Sequence, residues 1–111
     1  MTDKIVVLST CANEQEADRL AGLLLDLRLA ACVSVVPHLR SHYRWQGAVE
    51  SAEECLLLIK SSQPLFDALR AAIEGAHSYE VPEVLALPVL EGSPNYLSWL
   101  QSNIRSGTGE L

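Results

Sequence analysis

Basic residues are scarce in this sequence. Eight lysines and arginines stand against fourteen acids, Lys4 and Lys60 are the only lysines, and the six arginines are scattered. Nucleic acid binding depends on a clustered basic face that displaces counterions from phosphates. That face is missing, so neither nucleic acid nor an anionic membrane is expected as a partner, whereas the formal charge of -6 favours cations. Long apolar runs are also missing: none approaches the roughly 18 residues of a membrane span. The start, MTDKIVVLSTC, has too short an apolar stretch and too little charge for a signal peptide. A cytoplasmic protein is expected.

No CxxC pair, linker, repeat or low-complexity stretch is present. The three cysteines, Cys11, Cys32 and Cys55, are odd in number and are expected to stay reduced; Cys32 and Cys55 lie inside apolar runs and read as small buried side chains. With 111 residues and 49% apolar composition, the chain fits one domain over residues 1–111, with a core from 4 to 104 and a flexible tail from 105 to 111. A domain this short buries only about two-thirds of its unfolded surface, so oligomerisation would help it.

What is present is periodicity. Ile5 to Leu8 form a continuous apolar, β-branched run, as in a central strand. Asn13 followed by Glu16 starts a helix, and Ala17, Leu20, Ala21, Leu24 and Leu27 recur at helical spacing to about Arg28. Ala31, Val33 and Val35 alternate before Pro37, Tyr43 and Trp45 continue the pattern, and Gln46-Gly47 reads as a tight turn into a return strand whose Cys55–Ile59 run is central. Ser62 and Pro64 start a second helix through Leu65, Phe66, Leu69, Ala72 and Ile73, with Gly75 at its C-cap. A fourth strand, Val81 to Leu90, contains Pro82 and Pro88, which confine it to an edge because proline cannot donate to a ladder. Ser93-Pro94 opens a third helix, through Tyr96, Leu97, Leu100 and Ile104.

The order β-α-β-β-α-β plus a terminal helix is the split βαβ arrangement, an α+β ferredoxin-like fold with strands one and three in the centre. Its hairpin, from about Ser34 to Ile59, is long, and Tyr43 and Trp45 lie on its distal half with little sequence left to cover them. A lone two-stranded ribbon is marginal in water, so the extended hairpin reads as an assembly arm.

Five fragments in this order and spacing carry a resemblance: Leu29-Ala-Ala-Cys-Val-Ser-Val-Val-Pro37, Ser41-His-Tyr-Arg-Trp-Gln-Gly47, Leu57-Leu-Ile-Lys60, His77-Ser-Tyr-Glu-Val-Pro-Glu83 and Tyr96-Leu-Ser-Trp99. Together they make residues 4 to 104 similar to the CutA divalent-cation-tolerance proteins. The resemblance implies a homotrimer whose sheets pack together and whose arms pair with neighbours, a link to copper and other divalent cations, and an architectural likeness to PII signalling proteins. It supplies no mechanism.

Two constellations are candidates for chemistry. Cys11, expected just past the first strand, and His77, just past the second helix, are of the ligand types that favour copper or zinc. Family members with a proposed copper site have a strand-one cysteine where this chain has Ser9, and two adjacent histidines where it has Ala76 and His77, so Cys11 stands as the substitute thiol. The second constellation is a subunit cleft drawn from Tyr43, Arg44, Trp45, Lys60, His77, Tyr79, Glu80 and Glu83, with Trp99 an interface aromatic. There Lys60 with Tyr79 would hold a small anion, or Lys60 would pair with Glu80 or Glu83. No G-x-S-x-G, HExxH or phosphate loop occurs, and His38 and His42 are expected far from either cysteine, so no enzyme is expected. The function expected is a trimeric protein that binds or responds to metal ions. The rivals are a PII-like sensor of an anionic metabolite and a scaffold for an unidentified protein partner.

Overall fold

A computed structural model describes residues 2–107. The elements run β1 (Lys4–Cys11), α1 (Glu14–Asp26), β2 (Cys32–Trp45), β3 (Ala48–Ser62), a short 3₁₀ turn (Gln63–Leu65), α2 (Phe66–Ala76), β4 (Leu85–Pro88) and α3 (Pro94–Ser102). Asn13 caps α1 by accepting from the Glu16 N–H at 2.8 Å, and Glu14 and Glu16 sit in the first turn, at the positive end of the helix dipole. The helix closes with Leu29 N–H on the Leu24 carbonyl and Arg28 N–H on that of Leu25, both at 3.0 Å, with Arg28 left-handed at φ 56°. Arg28 is in turn held by the chain end: its carbonyl accepts from Arg105 N–H at 2.8 Å and its guanidinium reaches the Ser102 carbonyl at 3.3 Å. The expected tail is therefore tied down at Arg105, and residues 108–111 lie outside the described ones.

The four strands pair antiparallel in the order β2-β3-β1-β4, which places the proline-free apolar runs of β1 and β3 in the centre. Gln46 and Gly47 both have positive φ, 49° and 84°, the type I′ geometry that matches the twist of the flanking strands. At Pro37 the β2–β3 register slips, from Val36 opposite Leu56 to Leu39 opposite Glu54, a bulge that holds His38 left-handed at φ 61°.

Three expectations need correction. The fourth strand is not Val81–Leu90 but Leu85–Pro88, extended by one bond from Val89 N–H to the Lys4 carbonyl; Pro82 has no N–H to offer, and residues 81–84 serve elsewhere. Gly75 is no cap: α2 runs through it to Ala76, and His77 ends the helix in extended backbone, φ -80° and ψ 146°. Cys11 is the last residue of β1 rather than a loop thiol.

Alternate residues of β1 and β3, among them Val7, Cys11, Leu57 and Ile59, pack in one core with Leu20 and Leu24 of α1, Leu69 and Ile73 of α2, and Leu100 of α3. The other face is less well covered. Val6, Leu8, Leu56 and Leu58 are half-buried, while Val36, Leu85 and Leu87 are exposed. An apolar sheet face left this open is a candidate interaction surface. Beyond the bulge the arm extends the molecule to 44 Å in its longest dimension.

Candidate functional site

The register of the arm follows from its turn. With Trp45 opposite Ala48, Tyr43 meets Glu50 and Ser41 meets Ala52. Side chains alternate along a strand, so Ser41, Tyr43 and Trp45 share one face with Glu50, Ala52 and Glu54. The chain leaving α2 returns to this face, and between the two lies a cleft of about 560 Å³. The arm supplies Ser41, His42, Tyr43, Trp45, Glu50 and Glu54 to its walls; Thr10 and the segment carrying Tyr79, Glu80, Val81 and Glu83 complete it.

A chain of hydrogen bonds fixes the returning segment. Tyr79 N–H donates to His77 Nδ1 at 3.0 Å, which leaves the imidazole proton on Nε2, and that N–H donates to the Thr10 carbonyl at 2.8 Å. Glu16 accepts from both Ser78 N–H (2.7 Å) and Ser78 Oγ (2.8 Å). Arg19 bonds the Ala76 carbonyl at 2.9 Å and pairs with Glu16 at 3.3 Å. Tyr79 then packs against His77, ring centroids 4.7 Å apart and planes tilted by 48°, and donates its phenol O–H to Glu54 Oε2 at 2.6 Å. Burial, with the Glu54 hydrogen bond and charge added, pushes the Tyr79 phenol well above its ordinary value.

The cleft is acidic. Glu50, Glu54, Glu80 and Glu83 line it with His42, and among the described residues no lysine or arginine does. A concave wall of one sign concentrates ions of the other, so the field here favours cations. Tyr43 and Trp45 add aromatic faces, and both stay exposed.

The structure divides the expected site residues. Tyr43, Trp45, Tyr79, Glu80 and Glu83 do share the cleft. Lys60 does not: its ammonium donates to Ser34 Oγ at 2.6 Å and approaches Cys32 Sγ at 3.6 Å, on the β2–β3 ladder below the bulge. Within one chain, Lys60 therefore meets none of Tyr79, Glu80 and Glu83. Arg44 faces Val49 across the arm, and by alternation lies on the face away from Tyr43 and Trp45. Trp99 sits on α3 against Tyr96, ring centroids 5.5 Å apart, outside the cleft.

The Cys11 side chain is fully buried, and burial first, then the Glu16 charge, pushes its thiol up to about 11. His77 is buried too, with both ring nitrogens engaged by backbone. Among the described residues no three His, Cys, Asp or Glu side chains converge as a metal site. One chain thus offers an attracting field without a complete divalent ligand set.

Glu16, Ser78, Glu50 and Glu54 escaped the sequence reading. For the two arm carboxylates a signal existed: counting back from Gln46-Gly47 puts Glu50, Ala52 and Glu54 on the Tyr43 face. From the sequence Glu16 reads only as part of a helix start, and its clamp on Ser78 spans 62 positions, which no local pattern reports. His38, expected far from either cysteine, in fact lines a small cavity together with Cys55.

Comparison with known proteins agrees with this architecture. The family model described as CutA1 divalent ion tolerance protein matches residues 5–103. The divalent-cation tolerance protein CutA of Thermus thermophilus is 47% identical over 98 residues, covering 88% of this chain and 95% of that one. The chloroplastic protein CutA 1 of rice is 45% identical over 101 residues, 91% of this chain and 57% of the relative, so the chain spans little more than half of that protein. The crystal structure of CutA1 from rice superposes with a TM-score of 0.91 at 44% identity, covering 93% and 94% of the two chains. A match that runs through the central strands, the arm and the cleft-forming segment alike places this chain in the CutA1 divalent ion tolerance family.

Proposed function

We propose that the protein is a homotrimeric, cytoplasmic metal-tolerance protein that collects divalent cations, copper among them, in the acidic cleft, with a neighbouring chain supplying the ligands one chain lacks. The observation that carries this reading is the lining of the cleft: four glutamates and a histidine, with no lysine or arginine among the described residues that form it. Tyr43, Trp45, Tyr79, Glu80 and Glu83 remain the residues assigned to it, joined by Glu50 and Glu54. Support for assembly comes from the open sheet face, where Val36, Leu85 and Leu87 are exposed, and from an arm whose Tyr43 and Trp45 also stay exposed. Cys11 and His77 then act from behind the cleft, His77 by holding the segment that carries Tyr79.

The PII-like reading, an anionic metabolite at the interface, would need cationic donors in the cleft, and Lys60 is engaged elsewhere. No helix among the described residues is long and apolar enough to cross a membrane.

Calorimetric titration with Cu(II), Zn(II) and ATP, alongside sedimentation velocity, tests the proposal. Metal affinity that falls about tenfold, or about 1.4 kcal/mol, in a Glu80→Gln, Glu83→Gln double variant is expected from a trimeric species. An ATP signal that disappears in Lys60→Ala, with no metal heat, would instead establish the anionic reading.

A further inference from the structure

The carboxylates of the acidic cleft are strung out along it rather than gathered at one point. Glu50 and Glu54 are four residues apart on β3, about 13 Å along a strand, and Glu80 and Glu83 stand on the returning segment. Aromatic faces lie between them: Tyr43 meets Glu50 across the arm, Trp45 follows on the same face, and both are exposed. We propose that the cleft binds a linear polyamine, with its ammonium groups on the glutamates and its methylene chain along Tyr43 and Trp45. The inference rests on the reading of the cleft as a cation site, and not on any metal.

Spacing selects this ligand class first. A compact ion needs its ligands drawn round one centre, and among the described residues no three His, Cys, Asp or Glu side chains converge in that way. A chain with several charges, each a few methylenes from the next, needs the opposite: separate carboxylates along a track. The aromatic lining selects it again. An alkylammonium is drawn to the face of a tryptophan or tyrosine ring, and its methylenes pack on the same surface. Inorganic divalent ions take oxygen, nitrogen or sulfur ligands and have no use for such faces. The volume, about 560 Å³, lies within the range of small-molecule sites.

Glu54 supplies the third observation. It is 7% exposed, and its one donor among the described residues is the Tyr79 phenol, on Oε2. Among those residues only Ser9 Oγ and Arg105 Nε are both unpaired and sealed from solvent, so Glu54 Oε1 is unpaired yet open. A carboxylate so far removed from water, with an oxygen to spare, favours a charged donor entering from the cleft. An ammonium brings three N–H donors and no acceptor, so it can meet Glu54 Oε1 and a second acceptor together. The remaining charges of the chain then fall to Glu50 and to Glu80 or Glu83.

The test is calorimetric titration of the full chain with spermidine at about 0.15 M salt, with butylamine and zinc(II) titrated in parallel. Spermidine is expected to bind the wild type at least about tenfold more tightly than butylamine, which offers a single charge. Glu50→Gln should weaken spermidine about tenfold, and Trp45→Leu about fivefold. Glu74→Gln, the same charge change at an exposed position of α2, should leave it unchanged. Zinc(II) bound without spermidine overturns the polyamine and leaves the metal reading standing, whereas spermidine bound without zinc(II) upholds the polyamine and removes the metal. Spermidine binding undiminished in both Trp45→Leu and Glu50→Gln would overturn the site. So would an equal loss in Glu74→Gln, which would reduce binding to the net charge of -6. A tetralysine peptide that binds more tightly than spermidine would also overturn it, in favour of a protein ligand.

Discussion

The Glu16 carboxylate, at the first turn of α1, accepts two hydrogen bonds from Ser78 just beyond α2, at 2.7 and 2.8 Å. This contact locks the segment that forms one wall of the cleft onto the opposite end of the chain. Replacing Glu16 with alanine leaves Ser78 and Ala12 N–H without their acceptor, and a loss of about 1–3 kcal/mol is expected in urea unfolding. The pH dependence has a definite sign. Burial alone would raise this carboxyl, but the donors of Ser78 and Ala12 outweigh it and hold it below its ordinary 4.5. A folded value below the unfolded one adds stability that is present above pH 4.5 and fades as pH falls through the folded value. Melting temperature should therefore drop more steeply below pH 4.5 for the wild type than for Glu16→Gln.

Tyr79 and Glu54 form the floor of the cleft. Glu54 is only 7% exposed, so Tyr79→Phe leaves a buried carboxylate without its donor and is expected to cost about 1–3 kcal/mol. Adding Glu54→Leu should recover part of that loss, because the stranded charge is removed with its partner. A spectrophotometric titration should find one tyrosine ionising well above pH 10, and that late step should vanish in Tyr79→Phe.

The arm turn is suboptimal at its first central residue. Gln46 adopts φ 49°, where Asn is favoured. Gln46→Asn should raise stability by about 0.5 kcal/mol, whereas a β-branched valine there should lower it by about 1–2 kcal/mol. Chemical denaturation of the two variants checks both signs.

The open sheet face predicts its own sensitivity. Leu85 and Leu87 are 55% and 49% exposed in the single chain. If copies cover them, each leucine contributes about 1 kcal/mol to the contact, roughly half the value for burying a whole side chain, because half of it is already covered. A Leu85→Asp, Leu87→Asp double variant should then sediment as a single folded chain at micromolar concentration. Unchanged assembly of that variant would move the interface off this face.

Much of the fold was legible. Continuous apolar runs marked β1 and β3 as central, and prolines at 37, 82 and 88 marked the other two strands as marginal, because each proline removes a ladder donor. The same reasoning overextended β4. Pro82 does not merely sit on an edge: it ends the pairing, which frees Val81 and Glu83 to line the cleft. Gly75 misled in a similar way, since a glycine near a helix end suggests a left-handed cap, and here the helix stops because His77 is drawn to the Thr10 carbonyl.

Local chemistry alone determined the turn at Gln46-Gly47, the cap at Asn13, the apolar periods of the strands and helices, and the negative balance that favours cations, since each depends on residues a few positions apart or on a simple count. Only the tertiary structure decided that Lys60 stays out of the cleft, that both His77 nitrogens are engaged, that Glu16 clamps Ser78, and that Cys11 and Cys55 stand opposite one another. These contacts join positions tens of residues apart. Their partners are set by strand register and by the point at which a chain segment leaves its helix, and neither is written in the residues themselves.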